Sequence, residues 1–144
     1  MTHHFADDTA ISELVAAFKA CTLPKAAWTH AAHFAAALWL LRHEPRPPVS
    51  DRMPGLIRAF NESVGGENSD TAGYHETITQ ASLRAAASVL AAHPSDPLHT
   101  VLDRLMESSF GRPDWLLVYW RRDRLFSTAA RKAWLEPDLA RLPF

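Results

Sequence analysis

The chain has 144 residues, enough for one domain with a sizeable core. Fifteen Lys and Arg face sixteen Asp and Glu, for a net charge of -1, which argues against a nucleic-acid partner because such proteins carry a basic surplus or face. Cys21 is the only cysteine, which excludes a disulfide framework and a cysteine zinc cluster.

The first residues, MTHHFADD, are acidic and lack the charged-then-apolar layout of a signal peptide, so a cytoplasmic location is expected. A first helix is predicted from about Asp8 to Ala20, with Ile11, Leu14, Val15 and Phe18 on one apolar face. Pro24 suits the first turn of a second helix that continues through Trp28, His30, His33, Leu38 and Leu41. Its apolar run, Phe34 to Leu41, is far shorter than the ~20 residues of a membrane span, so no membrane partner is expected. The proline-rich segment HEPRPPVS stops it.

Ser50 can cap a third helix, with Pro54 in its first turn and Gly65-Gly66 at its end. The polar segment GGENSDTAG reads as a loop, either a functional lid or a plain connector. A fourth helix follows from about Ala72 to Ala92, closed by His93-Pro94. Ser95 and Thr100 offer starts for a fifth helix ending near Ser109, and two shorter helices are expected after Pro113 and after Ser127. The tail EPDLARLPF reads as an extended strap. With scarce glycine and no sustained apolar-polar alternation, the whole chain is predicted to be a single all-α domain, an up-down helical bundle with a C-terminal extension.

The chemistry, if any, centres on histidine. His30 and His33 are three apart and share a helix face, and His75 opens the fourth helix on the stripe 75, 78, 82, 85 and 89. In an up-down bundle helices two and four run parallel, so all three imidazoles fall at one end. Cys21, Asn61 and Glu62, at the ends of helices one and three, arrive there too. Three neutral imidazoles and a carboxylate suit a divalent transition metal: zinc, iron, nickel or manganese. The expected ligands are His30, His33, His75 and Glu62, with Glu76 or Asp70 as other carboxylates. Glu76 would then serve as general base, with Tyr74 and Thr77 orienting a substrate. The spacing is not HExxH, so no metalloprotease is implied.

Each residue also has a bland reading. A histidine beside an apolar stripe is commonly a hydrogen-bonded, half-buried residue. Glu76 fits the reach-back position of a capping box with Gly73 as N-cap, and Cys21 fits a small packing residue better than a nucleophile. The segments CTLPKAAWTHAAHF, NESVGGENSDTAGYHETIT and LFSTAARKAWLEPDLARLPF resemble a family of small uncharacterised bacterial proteins, over most of the chain. That resemblance implies no activity; it implies that Trp28, Thr29, His30, His33, Asn68, Asp70, Thr71, Tyr74, His75, Glu76 and Thr77 belong to shared motifs. The expected function is therefore a His-ligated metal-binding protein or small metal-dependent enzyme. The alternative is a non-catalytic module, a homodimer in one version, that binds a small molecule or a partner.

Overall fold

A computed structural model of the protein describes residues 3–144. Seven α-helices account for the architecture of the described residues: α1 (Asp8–Lys19), α2 (His30–His43), α3 (Val49–Ser63), α4 (Glu76–Ala92), α5 (Leu98–Glu107), α6 (Arg122–Leu125) and α7 (Thr128–Lys132). No strand occurs among the described residues, and none of their helices is long and apolar enough to cross a membrane. Helix α2 is the central rod. It is apolar over most of its circumference, burying Phe34 through Leu38 and Leu40, and it packs against α1, α4 and α5.

The ends of the elements follow local chemistry. Helix α1 begins where the Asp7 carboxylate accepts the Ala10 N–H. It closes with Cys21 N–H donating to Phe18 O and Thr22 N–H to Ala17 O, the two crossed bonds of a Schellman turn. Helix α3 closes identically through Gly65 and Gly66, whose N–H groups reach Glu62 O and Asn61 O. Gly65 sits at φ 83° without penalty, whereas Cys21 holds φ 58° with a side chain, at a cost of about 1 kcal/mol.

Helix starts depart from the sequence expectation in three places. Residues 25–27 form a single 3-10 turn, and α2 starts only at His30, because Trp28 is non-helical and the Thr29 hydroxyl accepts the Ala32 N–H. Helix α3 starts at Val49 rather than after Ser50, which moves Pro54 inside the helix. A proline there cannot donate to the carbonyl four residues back, Ser50 O; the Gln80 side chain of α4 supplies that bond at 3.0 Å. Helix α4 starts at Glu76, not near Ala72, with His75 as N-cap. The capping box expected of Gly73 and Glu76 is therefore absent. Gly73 instead makes a tight turn at φ 84°, where an added Cβ would lie 2.1 Å from Glu67 O.

The C-terminal third wraps the body. A 3-10 turn at Trp115–Val118, then α6 and α7, leads into an irregular segment after Lys132. Helix α6 was not anticipated from the sequence. The strap is held where Trp120 Nε1–H donates to Leu135 O and Leu139 N–H to Tyr119 O. Thr77 is the principal clamp: its buried hydroxyl faces Ala130 O and Ala133 O and accepts the Leu135 N–H.

Candidate functional site

A cavity of about 660 Å³ opens at the end of the bundle where α2 and α4 begin. Its wall is built from Trp28, His30, His33 and Phe34 on one side, and Met53, Ile57 and Asn61 of α3 on the next. The N-terminal part of α4 contributes Tyr74, His75, Ile78 and Ser82, and the wrapping segment adds Trp115, Leu116, Leu125 and Phe126. Exposed members of the lining, His33, Gly73, Pro113, Asp114, Arg122 and Phe126, mark its mouth.

The structure thus brings His30, His33 and His75 to one cavity, and what each ring does there is set by its hydrogen bonds. His75 is spent on both nitrogens. Nδ1 accepts the Ile78 N–H at 3.1 Å, capping α4, so the proton must sit on Nε2, which donates to Leu125 O at 2.7 Å. A proton on Nδ1 would abolish the cap. Burial is the main cause that holds the His75 pKa below its ordinary value; the Leu125 bond opposes it and the nearby Arg131 charge adds to it. His30 donates Nε2–H to Phe110 O at 2.8 Å, leaving Nδ1 without a protein partner.

His33 makes no hydrogen bond on either nitrogen. Its ring lies against the Trp28 indole, with centroids 4.1 Å apart, and that indole also stacks on Phe18 at 4.3 Å and meets Phe60 at 5.3 Å. His33 keeps accessible surface at the mouth of the cavity, while its ring stands in a recess crowded by protein atoms. Desolvation in that recess, helped by His30, pushes its pKa down to about 4. It is therefore a neutral imidazole at pH 7. The Trp28 indole N–H is buried and has no hydrogen-bond partner.

The carboxylates expected at the site are elsewhere. Glu62 is exposed and accepts from Asn68 Nδ2 at 3.4 Å, outside the lining. Glu76 accepts the Tyr74 hydroxyl at 2.5 Å and the Gln80 amide at 3.3 Å, which leaves it behind the wall. Asp70 is exposed and pairs with Lys132 at 3.4 Å. Among the described residues no group of three or more His, Cys, Asp or Glu side chains is placed to hold a metal ion. The ligand set expected of His30, His33, His75 and Glu62 is not assembled among the described residues: both nitrogens of His75 are engaged, Glu62 lies outside the lining, and Asp114, the one carboxylate in the lining, is exposed at the mouth.

The orienting roles expected of Tyr74, Glu76 and Thr77 also meet prior commitments. Tyr74 lines the cavity, but its O–H is given to Glu76 and its ring lies beneath Arg58, 4.5 Å from the centroid. Burial and the Glu76 carboxylate push its pKa up, with Thr79 and Arg58 opposing, so it stays a donor and not a base. The Thr77 hydroxyl is consumed by the strap, on a face away from the cavity. Cys21 is not part of the lining.

Sequence reasoning missed three kinds of participant. The backbone carbonyls of Phe110 and Leu125 fix two imidazoles, and a carbonyl leaves no trace in residue identity. Phe126, Leu116 and Arg122 reach the cavity only because the C-terminal third folds back. Asn68 organises the loop as a hub: Oδ1 accepts from Asn61 Nδ2 and Tyr74 N–H, while Nδ2 donates to Arg58 O. Its place in a quoted motif was the available signal. Comparison with known proteins finds no matching family model, no similar curated protein and no similar solved structure.

Proposed function

We propose that the protein is a small-molecule-binding helical module, whose ligand enters the cavity between the starts of α2 and α4. The observation that carries this reading is the cavity itself. At about 660 Å³ it lies within the ~300–1,000 Å³ of ligand pockets, and like them it has apolar and aromatic walls with few polar groups. His33 supports it further, because an accessible imidazole with both nitrogens free in an apolar recess is a ready hydrogen-bonding partner. The unpartnered Trp28 N–H points the same way, since unsatisfied buried donors are rare and concentrate at functional places. Helix α4 is anchored to the strap through Thr77 and to α3 through Gln80, so the walls are preformed.

The test uses the intact protein and a neutral solvatochromic dye such as Nile red. Saturable binding is expected, and Ser82→Phe, which fills the cavity from α4, abolishes it while the circular dichroism spectrum is kept. Dye binding that survives Ser82→Phe would sink the reading. A metal titration on protein carrying His3→Ala and His4→Ala decides the competing one. Stoichiometric zinc or nickel uptake that disappears in His30→Ala would restore a metal centre.

A further inference from the structure

We infer that the cavity takes an uncharged, planar ring compound that presents an O–H or N–H donor, of the phenol or indole kind. This inference rests on the cavity being a ligand site, as proposed above, and adds the chemical class.

The placement of charge is the first argument. Histidines aside, the lining carries two ionisable acid or base side chains, Asp114 and Arg122, and both are exposed at the mouth. The deeper wall is Phe34, Ala37, Leu83, Leu116 and Leu125, all buried and apolar. An ionised ligand group carried inside would lose its hydration and meet no counter-charge. The low pKa of His33 reports the same property, an aversion to charge in the recess.

The second argument is the direction of the available hydrogen bond. Phe110 O can only accept, so Nε2 of His30 carries a proton, and in the neutral ring Nδ1 is a bare lone pair. That atom has no protein partner, and only a donor can satisfy it. His33 complements it, since a neutral imidazole offers one donor and one acceptor and its tautomer is not committed to any protein group. Ser82, a hydroxyl in the lining with no hydrogen-bond partner assigned, can serve a second polar atom. A carboxylate or an ether brings no donor to His30. An ammonium brings one, with a charge the recess disfavours.

The third argument is shape. Phe34, Trp115 and Phe126 line the space, and aromatic side chains favour planar ligands through offset and edge-to-face contacts. The volume suits two or three fused rings with room for water.

Three matched probes test the class: 1-naphthol, its methyl ether 1-methoxynaphthalene, and 1-naphthoate. Calorimetry or tryptophan fluorescence on the full chain is expected to show 1-naphthol binding about tenfold more tightly than the ether, the worth of one hydrogen bond. With histidine 15N-labelled, the Nδ1 resonance of His30 is expected to move upfield with naphthol and to stay with the ether, a readout that needs no variant. His30→Phe is expected to equalise naphthol and ether. Equal affinity of the two for the wild-type protein, or tighter binding of naphthoate through Arg122, overturns the inference while Nile red binding still upholds the cavity. Failure of all three probes and of Nile red overturns the cavity reading and the inference with it.

Discussion

At the cavity, His30 and His75 direct Nε2–H at the backbone carbonyls of Phe110 and Leu125, whereas at the other end of the bundle His99 and His3 face the carboxylates of Asp8 and Asp103. That second region is a seam joining the N-terminus to α5. Asp8 accepts the Leu98 and His99 N–H groups at 3.0 and 2.9 Å, capping α5, and bonds His99 Nδ1 at 2.7 Å. Asp103 pairs with His3 and accepts the His4 N–H. A carbonyl takes a hydrogen bond without rewarding charge; a carboxylate rewards it. Burial therefore wins at the cavity, and His33 and His75 are held neutral. At the seam burial is outweighed, and the hydrogen bonds from His99 and His3 hold Asp8 and Asp103 below the usual carboxylate range.

The comparison breaks most visibly at His75. Replacing it with Ala removes the cap of α4 and orphans Leu125 O, so a loss of about 3 kcal/mol is expected in urea unfolding. His75→Asn, which can still cap, should recover about 1 kcal/mol. A loss below about 0.5 kcal/mol for the alanine variant would show that the ring only fills space. At the seam, Asp8→Ala removes the α5 cap and should cost about 1 kcal/mol, the smaller value because the carboxylate is partly solvated. Equal losses at the two sites would erase the contrast.

Acid sharpens it. Between pH 6.5 and about 4 the unfolded chain protonates a histidine that the native recess keeps neutral, so the unfolded state binds more protons and stability falls as the pH is lowered. His33→Phe should flatten that limb, leaving the part due to His75. The aspartates act lower. Their pKa values are depressed in the native state, so their contribution is present above the unfolded value near 3.8 and is lost as pH falls below it. Urea midpoints measured against pH separate the windows; an unchanged limb between pH 6.5 and 4 in His33→Phe would mean that the recess does not desolvate the ring.

The smallest effect is expected from His3→Ala. His3 is half exposed, and the buried Asp103 keeps its bond to His4 N–H, so a change of up to about 0.5 kcal/mol, fading in high salt, should appear in the same assay.

The legible part of this protein lies in residues whose neighbours in sequence decide their behaviour. The apolar stripe Ile11, Leu14, Val15 and Phe18 is buried as its spacing requires, and Gly65 and Gly66 end α3 as glycines do. Two of the three misread starts, those of α2 and α4, share one cause. The Thr29 and His75 side chains cap those helices, five and two residues after the Pro24 and Gly73 signals from which the starts were read. His75 was legible as a residue that belongs at the head of α4 and illegible as its cap, because histidine is an uncommon capping residue.

From its own pattern, then, the chain determines an all-helical class, a central apolar helix, and the gathering of His30, His33 and His75 at one end of the bundle. Only the tertiary structure decided what those rings face. Phe110 and Leu125 lie 80 and 50 residues from their histidine partners, and they bond through backbone oxygens that every residue type possesses. Which nitrogen keeps its proton, whether a lone pair stays free, and whether a carboxylate comes near are set by that long-range packing.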